Sequence, residues 1–218
     1  MAPTQLPHDA KAGPTKSEVR AVLLSKLDLG SGDHFVEIGS CTGAVTIEAA
    51  RRAGRVTALE RKPDRAETTR NNLAANSIPL APATDVAGPA ADGGAVSESV
   101  SGAGDSQAEV EVRVSEAPEG LPGDADALFL GGSRNYEAVL DHAVETGVGR
   151  VVMNVSRLEV AGAATEAFRE RGLLEEVVQF QVSHGYELAG ATSFESDNPV
   201  YMLVGGTDDA VATDGGHP

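Results

Sequence analysis

The feature that most constrains the fold is a short apolar run that leads through closely spaced glycines into a helical pattern. Residues 34–43 read HFVEIGSCTG, and AVTIEAARRAG follows directly. The first five residues are typical of a buried strand, and Gly39 and Gly43 bracket a tight turn before the helix begins. In such a strand–turn–helix unit, backbone N–H groups can face a ligand. We therefore expect a ligand site at the end of this strand.

Strand and helix patterns alternate along most of the chain, which predicts a layered fold. The further strand patterns are RVTALE, EVEVRVS, DALFLGG, RVVMNV, LLEEVVQFQVS and NPVYMLVGG. The link between the last two is too short for a helix, so an antiparallel neighbour is expected there. The sequence predicts a Rossmann-like α/β fold with helices on both faces of a mostly parallel seven-stranded sheet, whose last strand is antiparallel.

Helix boundaries are predicted from capping and proline signals. Thr15 and Glu18 have the spacing of a capping box ahead of the first helix. Pro63 suits the first turn of a helix over residues 64–75, and Asn76 is expected to end that helix.

One domain is expected, with a tail at each end and one insertion. Residues 79–108 contain no Lys, Arg or aromatic residue and are rich in Pro, Gly, Ala and Ser. This run is predicted to be a low-complexity, acidic surface loop. The domain is predicted to span residues 13–205, between a flexible tail over residues 1–12 and a disordered tail over residues 206–218.

The charge balance limits the partners of the chain. There are 33 Asp and Glu residues against 17 Lys and Arg, and the formal net charge is -16. This charge repels nucleic acid and anionic membranes, so neither is expected as a partner. Excess acid with scarce lysine is typical of a halophilic cytoplasm, although ordinary acidic solubility is an alternative. A single cysteine and the lack of a run of roughly 18 apolar residues predict a cytoplasmic protein without a membrane span.

Two classes of cofactor use a glycine turn of this kind. A dinucleotide fold requires G-x-G-x-x-G so that the pyrophosphate can approach bare backbone. That register gives Gly39, Cys41 and Ala44 here, and the Cβ atom of Cys41 would intrude on a pyrophosphate. The alternative is S-adenosylmethionine (SAM), which carries no phosphate. Cys41 itself is interpreted as a small apolar filler, because no neighbour in sequence would activate its thiol.

Three acidic residues near predicted strand ends favour SAM. Glu37 can accept a hydrogen bond from the ligand's ammonium group, and Glu60 can accept from both ribose hydroxyls. Glu116, after the third strand, can meet the adenine amino group. Open α/β sheets bind ligands at these carboxyl ends. Glu60 also suits a nicotinamide cofactor, so a nicotinamide-dependent oxidoreductase remains an alternative.

Several segments occur in the order found in one enzyme family. They are GPTKSEVRAVLLSKL, EIGSCTGAVTIEAAR, VSEAPEGLP, LFLGGS, NVSRLEV and NPVY. On these segments the chain resembles the CbiT-type proteins, the decarboxylating precorrin methyltransferases of cobalamin biosynthesis, over residues 13–205. The glycine turn is generic to class I methyltransferases, whereas the Gly-Pro-Thr, Ala-Pro-Glu and Gly-Gly-Ser segments are more specific.

The resemblance implies a class I methyltransferase fold, SAM as the cofactor and a homotetramer. It also implies methylation of carbon 15 of cobalt-precorrin-6B, with loss of CO2 from the C-12 acetate chain, and a separate C(5)-methyltransferase of the same pathway as partner. The chain departs from the family at Cys41, where glycine is usual, and at Ser115-Glu116, where Gly-Asp is usual. No metal site is predicted. The predicted cofactor-binding residues are Thr15, Glu37, Gly39, Ser40, Cys41, Thr42, Gly43, Glu60, Glu116 and Ala117.

The substrate is expected to lie against residues that follow the fourth and fifth strands. Glycines there would let a flat ring approach the backbone, and nearby cations would pair with the carboxylates of a precorrin. Arg134 and Arg157 are the expected cations, with Lys16 and Arg20 behind them. His184 is interpreted either as a proton carrier or as a turn residue. A methyltransferase for another small molecule and a non-catalytic SAM-binding or assembly protein remain alternatives. The predicted substrate residues are Gly131, Gly132, Ser133, Arg134, Asn154 and Arg157.

Overall fold

The computed structural model describes residues 3–10, 13–81, 108–132 and 134–207. These ranges contain five helices and nine strands. In chain order they are α1 (Ser17–Leu27), β1 (His34–Ile38), α2 (Ala44–Ala49), β2 (Arg55–Glu60), α3 (Pro63–Ala75), β3 (Glu109–Val114), β4 (Ala127–Leu130), α4 (Tyr136–Thr146), β5 (Arg150–Val155), α5 (Leu158–Glu170), β6 (Leu174–Phe180), β7 (Ser183–Leu188), β8 (Ala191–Ser196) and β9 (Val200–Gly205).

Seven strands form one sheet in the order β3-β2-β1-β4-β5-β9-β6. Neighbouring strands from β3 through β5 are parallel, and β9 is antiparallel to both β5 and β6. The predicted α/β fold, with a seven-stranded sheet and an antiparallel last strand, is confirmed. Because the chain changes direction across the sheet between β1 and β4, a crevice is expected at the carboxyl ends of these two strands.

Each face of the sheet is covered by helices over its own apolar core. Phe35 and Val36 are adjacent in β1 but pack into different clusters, because successive side chains of a strand point to opposite faces. One cluster contains apolar side chains from α1, α2 and α3, and the other contains side chains from α4 and α5. Burial on both faces explains the short continuous apolar runs that marked the central strands in the sequence.

A two-stranded hairpin that the sequence patterns did not predict connects β6 to β9. Strands β7 and β8 pair with each other, with Tyr186 opposite Ser193, and lie outside the seven-stranded sheet. Ala189 and Gly190 between them have φ of 54° and 80°, as a two-residue hairpin turn requires. Every residue of β7 is exposed, so the hairpin lacks the buried face that produces apolar alternation.

Two of the three predicted helix signals are confirmed. Pro63 is the first residue of α3, and Asn76 caps its C terminus. The capping box predicted at Thr15 and Glu18 is wrong, because Lys16 is the N-cap residue of α1 and no side chain caps that helix. Thr15 lies one residue ahead of the position from which a hydroxyl could cap it.

The two ends of the predicted insertion meet at the edge strand β3. Leu80 forms a parallel bridge with Val110, and the Ala81 N–H donates to the Val110 carbonyl over 2.8 Å. Residues 82–107 of the insertion and residues 208–218 of the predicted C-terminal tail lie outside the described ranges. Among the described helices, none is long and apolar enough to cross a membrane.

Candidate active site

A cavity of about 340 Å³ opens at the carboxyl ends of β1, β2 and β4, beside the segment that follows β3. Open α/β sheets bind ligands at this edge, and the volume suits a small molecule. Most of the predicted site residues meet here. The wall includes Thr15, Glu37, Gly39, Ser40, Cys41, Thr42, Glu60, Glu116, Ala117, Gly131, Gly132 and Arg134.

The glycine turn between β1 and α2 forms one side of this cavity. Gly39 and Gly43 have φ of 85° and 75°, a region that favours glycine. A Cβ atom at Gly43 would also lie only 3.0 Å from Thr69 Cγ2 on α3. Glycine therefore lets the turn pack closely against that helix. Gly43 does not line the cavity, and its contact with a cofactor stays a prediction.

Cys41 also occupies the left-handed region, with φ of 55°, although it carries a side chain. Its N–H donates to Glu60 Oε2 over 3.2 Å, and its carbonyl accepts from Thr69 Oγ1 over 3.1 Å. Burial raises the pKa of the Cys41 thiol, which disfavours the thiolate that nucleophilic chemistry needs. The surroundings thus support the interpretation of Cys41 as a small filler.

We expect Cys41→Gly to fold and to bind SAM with an affinity within about threefold of the parent's. The change relieves a strained φ worth about 1 kcal/mol, and the greater freedom of glycine in the unfolded chain offsets part of this gain. Cys41→Val is the control, because a β-branched residue at this φ is an outlier and should lower the free energy of unfolding by about 1–2 kcal/mol. Calorimetric titration and thermal unfolding measure both effects. An affinity loss above about tenfold in Cys41→Gly would show that the thiol contributes to binding.

Glu37, near the end of β1, is a buried acid with only 2% of its surface exposed. Its Oε2 accepts a hydrogen bond from Thr46 Oγ1 on α2. Burial raises the pKa of Glu37 to about 8; the bonds from Thr46 oppose this shift, and the nearby Glu60 adds to it. The carboxyl therefore holds its proton at neutral pH, and a cationic ligand group in the cavity would favour its ionised form.

Glu60, at the end of β2, is 4% exposed and is oriented by two backbone groups. Its Oε2 accepts from the Cys41 N–H over 3.2 Å, and its Oε1 accepts from the Lys62 N–H over 2.9 Å. Each carboxylate oxygen can accept more than one hydrogen bond. Because Glu60 lies in the wall of the cavity, both oxygens can also accept from a pair of ligand hydroxyls.

Glu116 and Arg134 form an ion pair at the rim of the cavity. Arg134 Nε lies 3.3 Å from Glu116 Oε1, and the two side chains are 64% and 41% exposed. Exposed pairs of this kind contribute only about 0–1 kcal/mol. Each partner can therefore exchange this contact for a ligand group.

Two predicted substrate residues, Asn154 and Arg157, do not line the cavity. Asn154 was expected after the fifth strand but lies within β5, because that strand continues to Val155. Its side-chain nitrogen and oxygen are buried and have no hydrogen-bond partner among the described residues. Arg157 is exposed at the N-cap position of α5. Ser133 lies outside the described residues.

Lys16 and Arg20, the cations expected behind Arg134 and Arg157, form ion pairs with acidic residues. Lys16 Nζ forms an ion pair with Asp197 over 3.0 Å, and His184 Nε2 lies 3.5 Å from the same carboxylate. Arg20 Nε contacts Glu48 over 2.5 Å. His184 lies in β7 rather than in a turn. The turn was predicted because no sequence pattern indicated the hairpin. None of these side chains lines the cavity.

Several wall residues were missed at the level of sequence. Arg61 and Arg65 contribute to the wall, and their places directly after Glu60 and in the first turn of α3 would have indicated both. Gly13 and Pro14 also line the cavity. Their membership in the Gly-Pro-Thr segment was the available signal.

Comparison with known proteins identifies relatives that align over most of the chain. The family description "precorrin methyltransferase domain" matches residues 7–96. A probable cobalt-precorrin-6B C(15)-methyltransferase (decarboxylating) of Halobacterium salinarum is 69% identical over 205 residues, which cover 94% of this chain and 95% of that protein. A protein of the same name from Methanosarcina acetivorans is 35% identical over 195 residues, with 88% and 93% covered.

A solved structure gives the same result. The crystallographic structure of precorrin 8W decarboxylase from Methanobacterium thermoautotrophicum has a TM-score of 0.74 and 26% identity to this chain. The alignment of the two structures covers 95% of this chain and 100% of the decarboxylase chain. The resemblance found in the sequence is confirmed, and the halophilic interpretation of the composition agrees with the Halobacterium relative. The chain belongs to the family of precorrin methyltransferases.

Proposed function

We propose that this protein is a cobalt-precorrin-6B C(15)-methyltransferase (decarboxylating) of cobalamin biosynthesis. It transfers a methyl group from SAM to carbon 15 and releases CO2 from the C-12 acetate chain. The observation that carries the proposal is the pair of buried acids, Glu37 and Glu60, beside a turn whose central residue is Cys41. This arrangement favours a donor with an ammonium group and ribose hydroxyls over a dinucleotide. Relatives with this name support the substrate and the reaction.

The wall of the cavity offers partners for three polar parts of SAM. Glu60 would accept hydrogen bonds from the ribose hydroxyls, Glu37 would pair with the ammonium group, and Glu116 would meet the adenine amino group. When bound, SAM supplies an electrophilic methyl group on its sulfonium. The protein's own task is to align the reacting carbon and to exclude water from the path of transfer.

Two glycines after β4 suit the approach of a wide, flat substrate. A Cβ atom at Gly131 would lie 3.3 Å from the carbonyl oxygens of Ile38 and Gly39, so glycine lets β4 end close to the turn. A Cβ atom at Gly132 would meet nothing within 4 Å, so this residue borders open space. A conjugated macrocycle beside Gly132 could supply the electron pair for the new C–C bond and accept the pair left by the departing carboxyl group.

The carboxylates of a precorrin need local cations, because the chain carries a net charge of -16. Arg134 lies at the rim, and the ion pair that it forms among the described residues is its exposed contact with Glu116. Arg157 is exposed and forms no ion pair with any acid in the described ranges. We assign both arginines to the carboxylates of the substrate, since a guanidinium group binds a carboxylate through two hydrogen bonds.

Three finer points belong to the same proposal. The cytoplasm is the expected compartment, and a separate C(5)-methyltransferase is the expected pathway partner. A homotetramer is the expected assembly. Exposed apolar side chains on the hairpin of β7 and β8, namely Tyr186, Leu188 and Phe194, support contact with a second copy of the chain. Sedimentation of the purified protein measures the assembly.

Mass spectrometry of a reaction with cobalt-precorrin-6B and methyl-labelled SAM tests the function. The expected product has gained one labelled methyl group and lost one CO2, and a mixture without protein is the control. Methylation without loss of CO2 would contradict the decarboxylating step. Binding of SAM without label transfer to the tetrapyrrole would indicate a non-catalytic donor-binding protein or another substrate. A fluorescence titration with a nicotinamide dinucleotide is expected to show no binding.

A further inference from the structure

Asn72 on α3 is a fully buried polar residue to which the proposed reaction gives no task. Its Nδ2 donates to the carbonyls of His8 and Thr42, both over 2.8 Å, and its Oδ1 accepts from the His8 N–H over 3.0 Å. A single side-chain amide thus joins the N-terminal segment to the glycine turn. Because an unpartnered buried polar group costs about 1–3 kcal/mol, separation of either segment from Asn72 is unfavourable.

Residues 3–10, the described part of the predicted N-terminal tail, lie along α3 and are called the strap here. Asn76, one helical turn after Asn72, makes a paired contact with Gln5. The Gln5 N–H donates to Asn76 Oδ1 over 3.0 Å, and Asn76 Nδ2 donates to the Gln5 carbonyl over 2.7 Å. Leu6 packs against the apolar core. Two asparagines therefore give the strap the hydrogen bonds that a neighbouring strand would supply.

A segment that begins at Gly13, three positions after the last residue of the strap, lines the wall of the cavity. The Gly13 N–H donates to the carbonyl of Ala10 over 2.7 Å. Gly13, Pro14 and Thr15 all line the cavity. A change in the docking of the strap can therefore reach the donor site through these three wall residues.

Helix α3 also holds the glycine turn through Thr69, which is fully buried. Thr69 Oγ1 donates to the Cys41 carbonyl over 3.1 Å and lies 2.9 Å from Ser40 Oγ. Together with the bond from Asn72 to Thr42, the helix contacts three successive residues of the turn. These contacts fix the orientation of the turn.

We propose that Asn72 is a positioning residue for donor binding, which couples docking of the strap to the conformation of the glycine turn. This inference rests on the proposed function, because it takes SAM as the ligand of the cavity. A donor that favours the turn as Asn72 holds it must also favour the docked strap, and the reverse follows by thermodynamic linkage. Asn76 contacts the strap but not the turn, and Thr69 contacts the turn but not the strap, so the chain itself contains matched controls.

Hydrogen exchange in the unmodified, full-length protein gives the first test. Saturating SAM is expected to slow exchange of the His8 N–H by about fivefold or more, with a slower exchange of the Gln5 N–H as well. Unchanged exchange of the His8 N–H in a protein that binds SAM by calorimetry would overturn the coupling alone. Absence of SAM binding by calorimetry would instead overturn the proposed function.

Three variants then separate a positioning role from a purely structural one. Asn72→Ala is expected to raise the KM for SAM roughly tenfold at nearly unchanged kcat, and to abolish the response of the strap to SAM. Thr69→Val should raise the KM and keep that response. Asn76→Ala should speed exchange of the strap with the KM within about twofold, because the docked strap stays the major state and Asn72 still joins it to the turn. A lower melting temperature of Asn72→Ala with an unchanged KM would contradict the proposal, as would equal KM values for Asn72→Ala and Asn76→Ala. If Asn72→Ala does not fold, exchange in the unmodified protein still decides.

Discussion

Replacement of Glu60 by glutamine is expected to weaken SAM binding by about 100-fold, which corresponds to about 2.7 kcal/mol. Two ribose hydroxyls would donate to this carboxylate, and hydrogen bonds to a charged group contribute about 1.5–3 kcal/mol each. A neutral amide weakens both bonds. Its NH2 group must also face either the Cys41 N–H or the Lys62 N–H, both of which donate to Glu60. Calorimetric titration with SAM measures the effect.

A matched variant separates this local effect from the loss of one negative charge. Glu109 is exposed at the start of β3, at the amino end of the strand, whereas the cavity lies at the carboxyl ends of the neighbouring parallel strands. Glu109→Gln removes the same charge from a protein of net charge -16 and is expected to leave SAM affinity within about twofold, because exposed charges this far away are screened by salt. An affinity of Glu60→Gln close to that of Glu109→Gln would remove Glu60 from the donor site.

The location of Glu60 shows how much of the site the sequence could predict. Central strands buried on both faces have short apolar runs, so their ends were visible without a structure. In a parallel sheet those ends lie at one edge, which brings Glu37, Glu60 and Glu116 to one cavity. The order of elements therefore predicted both the fold and most of the wall.

Contacts between residues far apart in the chain could not be predicted in this way. The strap depends on the bond between His8 and Asn72, which are 64 positions apart, and no local pattern marks it. The hairpin of β7 and β8 has no buried face to produce alternation. Cys41 stands where a positive φ favours glycine. Its N–H donates to Glu60 and its carbonyl accepts from Thr69, and these two partners belong to distant elements.

Replacement of Glu37 by glutamine is expected to stabilise the SAM-free protein while weakening SAM binding by about tenfold or more. Burial raises the pKa of Glu37 to about 8, against an ordinary value of 4.5. Between these two pH values the folded protein holds a proton that the unfolded chain has released. The stability contributed by Glu37 therefore falls as pH rises through this window, by at most about 1.4 kcal/mol per pH unit, and becomes constant above pH 8.

The free energy of unfolding of both proteins, measured from pH 5 to pH 8, tests this sign. Glutamine has nearly the same shape and no charge to bury, so the advantage of Glu37→Gln over the parent should grow as pH rises. An advantage that stays constant or shrinks would contradict the buried, proton-binding state of Glu37. Glu109→Gln is again the control, and its difference from the parent should vary little over this range, because its side chain is exposed.

The same proton should be detectable when the donor binds. With its pKa raised to about 8, Glu37 is mostly protonated at pH 7, and the ammonium group of SAM would favour its ionised form. Titrations in two buffers of different ionisation enthalpy should therefore show release of protons when SAM binds to the parent protein, and much less release for Glu37→Gln. Equal release by both proteins would assign the proton to the ligand itself and leave Glu37 without its proposed partner. A destabilising buried acid has a role where its ionised form gains a partner, and the partner that we propose for Glu37 is the ammonium group of SAM.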